Sequence, residues 1–492
     1  MYWLRAKYVV VRALFFAGFL SGCMVGPKYK RPKIAMPTQF EGTEEVCGTD
    51  EELCGWWKQF NDPMLDQLIA EAVKANYDIR LAVEKIAQAR AQYRIEGSYL
   101  WPEIDAHAAA TRTRISQNIF PIQSAPQAKG GTFLPTFLNL FQLGFDAIWE
   151  LDFFGKFRHG RKAAQYAFEA TKEDAESVMI SMLSEVAVTY INIRALQRKI
   201  DLQKKEIEAD ERQVAITERL FQIGLDNELQ KTTLMSAVES DRAILPTLQI
   251  SLKQSVYALA FLLGKAPEGL FDTLQNVQSI PTSTDRVPVG LPSDLLRRRP
   301  DIRSAERQLA AATEQSGAAV ADLFPHIALT GISFGGGNQG GSSVGFLGDA
   351  LNNVLKWPSR TFSVGVGFNW DMLDFGRVRG NIQVKTSLQK QALLTYEQTV
   401  IGSLRDVENA LVAYFEEQSR KESFNRKVEA DSRTLEITEN LFQIGLANEV
   451  DLLKARKTLL STESLLVESE QALAGDLVAL YKALGGQWQS AL

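Results

Sequence analysis

Six side chains in this 492-residue sequence carry the chemistry of metal binding or nucleophilic catalysis: His107, His159 and His326, and Cys23, Cys47 and Cys54. They are scattered along the chain. A structural zinc site takes four closely spaced ligands and an iron–sulfur cluster four thiolates, so this set predicts no metal and no other cofactor. No Ser or Cys elbow lies beside any of the histidines, so no residue is nominated as catalytic and the chain is not expected to be an enzyme. The run Gly335-Gly-Gly-Asn-Gln-Gly-Gly341 is followed by neither a Lys-Ser/Thr pair nor a helical pattern, so it cannot cradle a phosphate. It reads as a flexible hairpin loop on the outer side, as does the Pro/Gly/Ser stretch from Ser116 to Pro135. Lys and Arg number 54 against 59 Asp and Glu, a formal charge of −5 with no basic block, which argues against a nucleic-acid partner.

One thiol does have a chemical context. Arg5, Lys7 and Arg12 precede a short apolar run from Ala13 to Leu20, which closes on Leu20-Ser-Gly-Cys23. A pattern this short with basic flanks is an export signal and not a spanning helix. Its last four residues resemble the bacterial lipobox, whose Cys is acylated and becomes the first residue of the mature protein, so residues 1–22 are expected to be removed and Cys23 to carry lipid. Residue 24 is Met and not the Asp that holds such lipoproteins at the inner membrane, which points to the outer membrane. Export also places Cys47 and Cys54 in an oxidising compartment. With Cys23 acylated they are the only thiols left, and a disulfide between them is expected, with two free thiols as the alternative.

The residues that remain are organised by an internal repeat, which precedes any other fold argument. Ile216-Thr-Glu-Arg-Leu-Phe-Gln-Ile-Gly-Leu225 returns as Ile437-Thr-Glu-Asn-Leu-Phe-Gln-Ile-Gly-Leu446, nine of ten identical at an offset of 221. The same offset carries Trp149 onto Trp370, Phe154-Gly155 onto Phe375-Gly376, and Gly264 onto Gly485. Upstream the offset is 223, carrying Asp78-Ile-Arg80 onto Asp301-Ile-Arg303 and Trp101-Pro102 onto Phe324-Pro325. The expected organisation is a signal at 1–22, an N-terminal periplasmic segment at 23–75, repeat 1 at 76–264, a linker at 265–298, repeat 2 at 299–485 and a tail at 486–492.

Each repeat reads as helix, two strands, long helix, break, helix. Residues 76–100 and 299–323 have helical spacing and stop before Pro102 and Pro325. Phe362, Val364, Val366, Phe368 and Trp370 alternate with polar or small residues, and Leu143 to Leu151 and Ile104 to Ala110 repeat that pattern less cleanly. Alternation of this kind suits membrane barrel strands with Trp149 and Trp370 at an interfacial girdle, although a soluble sandwich would alternate in the same way. Lys156 to Ile223 and Arg377 to Ile444 pass without a proline, which predicts two helices roughly 100 Å long. Along the second, Tyr396, Val400, Leu404, Val407, Leu411 and Tyr414 form a coiled-coil seam, with Ala175, Met179, Leu183, Val186, Tyr190 and Ile193 as its images in the first. Gly224 and Gly445 end these helices and precede the polar openings Asp226-Asn-Glu228 and Asn448-Glu449, so they should be hairpin tips. Outside the extreme N-terminus no run of about 20 apolar residues stands out, so any crossing uses strands. Four strands are too few to close a barrel, so their edges must pair with other copies of the chain.

Several motifs together resemble outer-membrane efflux channels of the TolC type, in the lipoprotein branch that serves multidrug pumps. They are Gly22-Cys-Met-Val-Gly-Pro-Lys-Tyr-Lys-Arg-Pro32, Leu291-Pro-Ser-Asp-Leu-Leu-Arg-Arg-Arg-Pro-Asp-Ile-Arg303, Trp149-Glu-Leu-Asp-Phe-Phe-Gly155, the twin Phe-Gln-Ile-Gly-Leu segments and Leu480-Tyr-Lys-Ala-Leu-Gly-Gly486. The resemblance covers nearly all of the mature chain. It implies an α+β, mostly α fold: a homotrimer with a 12-stranded barrel in the outer membrane and a periplasmic tunnel of long helices. It implies a passive exit duct docked to a periplasmic adaptor and an inner-membrane transporter, most simply of the RND type. It also implies that Gly224, Leu225, Gly445 and Leu446 touch the adaptor, and that the stretch holding Val450, Asp451, Lys454 and Lys457 narrows the tunnel as a periplasmic gate. Lys454 departs from the family's carboxylate rings, which suggests a mixed ring with Asp451 around a Val450 constriction, both charges being solvated on the outer face as the alternative. Ducts for metal ions or for secreted protein, and a structural coiled-coil lipoprotein, are the competing readings.

Overall fold

The computed structural model describes residues 24–40, 55–114, 137–225, 227–274, 278–282, 292–330 and 342–486. Cys23, Cys47, Cys54, Asp226 and the glycine-rich run 335–341 lie outside the described residues. The elements are α1 (Pro63–Ala75), α2 (Tyr77–Ser98), β1 (Glu103–Arg114), β2 (Phe137–Leu151), α3 (Lys156–Gln222), α4 (Glu228–Leu262), α5 (Leu270–Leu274), α6 (Leu295–Arg298) and α7 (Pro300–Ala321). They continue with β3 (His326–Thr330), β4 (Ser342–Gly348), β5 (Arg360–Ser363), β6 (Gly365–Asn369), α8 (Arg377–Gln443) and α9 (Glu449–Ala483). The two long helices have 67 residues each and the two that follow them 35 each, so the repeat is present in the structure as well as in the sequence. The chain forms two compact units, described separately.

The first unit takes in 88–169 and 307–393 and holds the sheet. β1 and β2 pair antiparallel from Glu103↔Ile148 to Arg114↔Phe137. β2 then meets two strands that share one position, β4 along Phe141↔Gly348 to Ala147↔Ser342 and β3 along Trp149↔Leu329 to Leu151↔Ile327. β5 and β6, parted only by Val364, pair with β4 and β3 in turn. The sheet is thus four strand positions wide and antiparallel throughout. Among the described residues β1 pairs only with β2 and the β5/β6 position only with β4 and β3, so both edges are open.

The two faces of the sheet differ because side chains alternate along a strand. Ala106, Phe145, Val344 and Phe362 stand opposite one another in one register row, and Trp149, Leu329 and Val366 in another. Phe145, Val344, Phe362, Val366 and Phe368 on this face are exposed. On the opposite face the His107 ring contacts Gln142 Nε2 at 2.9 Å and Asp146 Oδ2 at 3.2 Å, and His326 Nδ1 lies 2.7 Å from Glu150 Oε1. One face suits hydrocarbon and the other suits water.

The second unit takes in 32–87, 170–306 and 394–492 and is helical. Asp62 caps α1 by accepting from Met64 N and Leu65 N, with Pro63 at the first helical position. The α3 seam is buried at all six positions, Ala175 to Ile193. On α8, Tyr396, Val400, Val407 and Leu411 are buried, whereas Leu404 and Tyr414 are half-exposed. An 18-residue stretch of α3 is apolar enough on average, by length and composition alone, to cross a membrane. Two-thirds of that stretch is buried, so its apolar side chains form core contacts with neighbouring elements. Tyr190 on the seam donates to Asp62 Oδ2 at 2.7 Å, and burial with that bond pushes its hydroxyl pKa upward. Trp56 stacks on Tyr481 at 5.6 Å and fastens the N-terminal segment to α9.

Candidate functional site

Both long helices end in the same way. Gly224 N donates to the Phe221 carbonyl at 3.0 Å and Leu225 N to the Leu220 carbonyl at 2.9 Å. Gly445 N and Leu446 N repeat these bonds on Phe442 and Leu441, at 3.0 and 2.8 Å. This paired pattern closes a helix through a left-handed residue, and φ is 75° at Gly224 and 79° at Gly445. The next helix starts within four residues. Asn227 Oδ1 accepts from Gln230 N at 2.8 Å, and Asn448 Oδ1 accepts from Asp451 N at 2.8 Å. In the second hairpin Asp451 Oδ2 accepts in return from Asn448 N, a reciprocal capping box. Each turn leaves apolar side chains in solvent: Ile223, Leu225 and Leu229 at the first, Ile444 and Leu446 at the second. Both hairpin turns are thus closed by backbone bonds and present exposed aliphatic side chains.

In the third turn of α9 a charged cluster joins three helices. Lys457 Nζ lies 2.7 Å from Asp210 Oδ2 and 3.8 Å from Glu206 Oε1, both on α3, and 3.2 Å from Asp241 Oδ2 on α4. Burial pushes the Glu206 carboxyl upward, Asp241's charge adds to it, and Lys457 opposes both. Asp210 is likewise pushed up, by burial and then by Asp241. Burial would pull Lys457 down, but its hydrogen bonds to Asp210 and Asp241 leave it above its ordinary value.

The repeat explains why this cradle needs an outside cation. The images of Glu206, Asp210 and Asp241 at offset 221 are Lys427, Asp431 and Thr462. There Lys427 Nζ meets Asp431 Oδ2 at 2.7 Å, Thr462 Oγ1 donates to the same oxygen at 2.7 Å, and Asp431 is held below the usual carboxylate range by those two bonds. Repeat 2 carries its own cation, whereas repeat 1 has three acids and takes Lys457 from α9.

Of the four gate residues expected from sequence, the structure places each differently. Asp451 is exposed and caps its own helix, Lys454 is exposed, Val450 is half-buried and Lys457 reaches α3 and α4. Sequence reasoning missed Glu206, Asp210 and Asp241. The signal was present: Glu206 and Asp210 are acids four residues apart that flank the buried Ile207 and Ala209.

Known proteins resemble this chain over most of its length. The family described as outer membrane efflux protein matches residues 68–265 and 291–486. Nodulation protein T of Rhizobium leguminosarum bv. trifolii is 28% identical over 474 residues, 96% of each chain. Cation efflux system protein CusC of Escherichia coli O6:H1 is 28% identical over 480 residues, 96% of this chain and 97% of its own. Among solved structures the outer-membrane channel OprN superposes with a TM-score of 0.82 at 30% identity, over 95% of this chain and all of its own. With two matched segments that together span most of its length, the chain belongs to the outer membrane efflux protein family and has the TolC-like channel fold.

Proposed function

We propose that this chain is the outer-membrane duct of a tripartite efflux pump, a passive exit through which drugs or other small molecules leave a periplasmic transporter–adaptor assembly. The observation that carries this reading is the sheet: one apolar exposed face, one polar face and two open edges, in a chain whose other elements are long helical hairpins. Four strand positions cannot close a barrel alone, and three copies supply twelve, which leaves a lumen wide enough for solutes. The functional oligomer is therefore a homotrimer. The exposed tips at Gly224-Leu225 and Gly445-Leu446 receive the adaptor, and an RND-type transporter supplies the energy. Val450, Asp451 and Lys454 border the tunnel's narrow end, and Lys457 is the strut that holds α9 against α3 and α4. Lipid on Cys23 adds a second hold on the outer membrane. Cys47 and Cys54 form a bridge whose short loop adds about 2–3 kcal/mol, and thiol titration of the unreduced, denatured mature protein should then find no free thiol.

The test is reconstitution. Purified full-length protein in planar bilayers should conduct as a trimer, and cells lacking the gene should become sensitive to the pump's substrates. A monomeric, non-conducting protein would overturn the reading in favour of a structural stalk.

A further inference from the structure

The N-terminal segment crosses the first turn of α3 at a buried ionisable pair. His159 on α3 and Glu314 on α7 are 2% and 6% exposed, with His159 Nδ1 2.6 Å from Glu314 Oε2. The other ring nitrogen, Nε2, lies 2.7 Å from the Val25 carbonyl. At the repeat offsets of 221 and 223 the images of His159 and Glu314 are Gly380 and Ala91, both exposed. The pair therefore exists at one of two equivalent places, and that place is the one the N-terminal segment passes.

The surroundings of Val25 accept a bare backbone. Its N–H donates to the Phe154 carbonyl at 3.1 Å, so with His159 both polar groups of its backbone are bonded. Gly26, at φ 109°, crosses α7 at Gly317, where a Cβ on Gly26 would come 2.8 Å from the Gly317 Cα. A Cβ on Gly317 would in turn enter the His159 ring. Further along the segment, Tyr29 packs against Tyr166 of α3 with ring centroids 6.1 Å apart.

A carbonyl only accepts, so Nε2 carries a hydrogen, and the short contact on the other side requires one more proton between Nδ1 and the carboxylate. Imidazolium with carboxylate and imidazole with carboxylic acid are both uncharged overall, and both satisfy every bond. Removing the shared proton leaves a buried negative charge and a nitrogen lone pair that faces either Glu314 or the Val25 carbonyl. The ionisable neighbours offer no replacement. The Tyr166 hydroxyl is pushed above its ordinary pKa by burial and then by the charges of Glu314 and Glu169, with Arg307 opposing, so it stays neutral. Glu96 on α2 lies beside Gly160, one residue along α3. From α8, the uncharged Thr386 and Gln389 meet Ser316 and Thr313 of α7.

We propose that His159 and Glu314 form a one-proton clamp for the mature N-terminus, a receptor for the Val25-Gly26 backbone that stays closed while the pair keeps its shared proton. Rising pH removes that proton and frees the segment. Val25 lies two residues past Cys23, so the clamp also fixes where the acyl chains leave the folded protein. That consequence rests on the acylation proposed above, whereas the clamp itself does not.

Trypsin reads the clamp in the full-length mature protein in detergent, because cleavage after Lys28 or Lys30 follows the population of the released segment. Relative to a free peptide of residues 24–31, the cleavage rate should rise about tenfold per pH unit above neutral, the slope of one proton lost. Glu314→Gln can donate an amide hydrogen to Nδ1 and needs no shared proton, so it should be cut slowly with a flat profile. His159→Ala should be cut fast at every pH. Gly317→Ala displaces the ring with His159 in place and should also be cut fast, an independent check should the first variant misfold. A flat profile in the unaltered chain, or a slope that survives in Glu314→Gln, would overturn the shared proton. His159→Ala and Gly317→Ala cut as slowly as the unaltered chain would overturn the clamp. The excised fragment that begins at Cys23 should carry the acyl mass, and a fragment without it would remove the acylation reading while the clamp stands.

Discussion

Lys457 on α9 and Asp210 on α3 meet at 2.7 Å, although they belong to different copies of the repeat and their images do not meet in this way. Lys457 has Ser236 as its image, and Asp210 has Asp431, which is neutralised locally by Lys427. The strut is a departure from symmetry, and departures from symmetry are where a duplicated channel can acquire a moving part.

Replacing Lys457 by Met should loosen α9 from α3 and α4 by about 1 kcal/mol, the modest figure reflecting a lysine that is partly open to water. The expected outcome is a higher basal conductance in planar bilayers. Glu206 and Asp210 are both raised, so the cradle's stability is fully present below the ordinary carboxylate range and is lost as pH rises through their raised values. Without the lysine this dependence should steepen, and lowering the bath from neutral pH into the ordinary carboxylate range should close the variant again. A variant as tight as the parent at neutral pH would remove Lys457 from the gate.

Leu225→Glu with Leu446→Glu should reduce export to the level of cells lacking the channel, because a carboxylate at each apolar tip must lose its water on docking. Trimers should be unaffected, since both side chains are exposed. Gly224→Ala with Gly445→Ala strains only the left-handed backbone, by about 1–2 kcal/mol per site, and should weaken export without abolishing it. Minimum inhibitory concentrations of pump substrates, read beside trimer content, decide the matter, and normal export from the glutamate pair would falsify the docking assignment.

Cys23→Ser should block acylation, seen as loss of the lipid mass from the intact mature protein. Assembly should fall without the product becoming soluble, because the strands hold the chain in the membrane independently. An unchanged mass, apart from the side-chain difference, means that the thiol carries no lipid.

Lys454→Asp should raise cation-over-anion selectivity and sensitivity to divalent cations, since in the proposed trimer threefold symmetry would bring three copies of each charge together at the tunnel's narrow end. Bilayer reversal potentials under a salt gradient measure this. Unchanged selectivity would place Lys454 on the outer surface of the helix.

Much of the fold could be read from residue order alone because a duplication reports itself twice. The tips follow from Gly224 and Gly445, and the helix lengths from the absence of proline. The seam that predicted helix packing is buried throughout on α3. What was illegible depended on contacts between residues far apart in sequence. Nothing local to Lys457 reveals that Asp210 lies 247 positions away at hydrogen-bonding distance. β3 and β4 both pair with β2, and alternation along the chain does not show that two segments share one strand position. Asp451, expected at the tunnel's narrow end, also stands three residues after an Asn that opens a helix, and that local pattern is a capping box.

The two arms of repeat 1, α3 and α4, are 67 and 35 residues long, and those of repeat 2, α8 and α9, match them residue for residue. Such arms constrain how descendants of this gene can change length. Deleting one residue from the middle of α3 would rotate every later side chain by about 100° and swing the seam out of the core. Deleting seven or inserting eleven returns the stripe to within about 20° of its old phase. Lineages of this channel that meet periplasms of different depth should therefore differ by sevens and elevens, taken in matched amounts from all four arms.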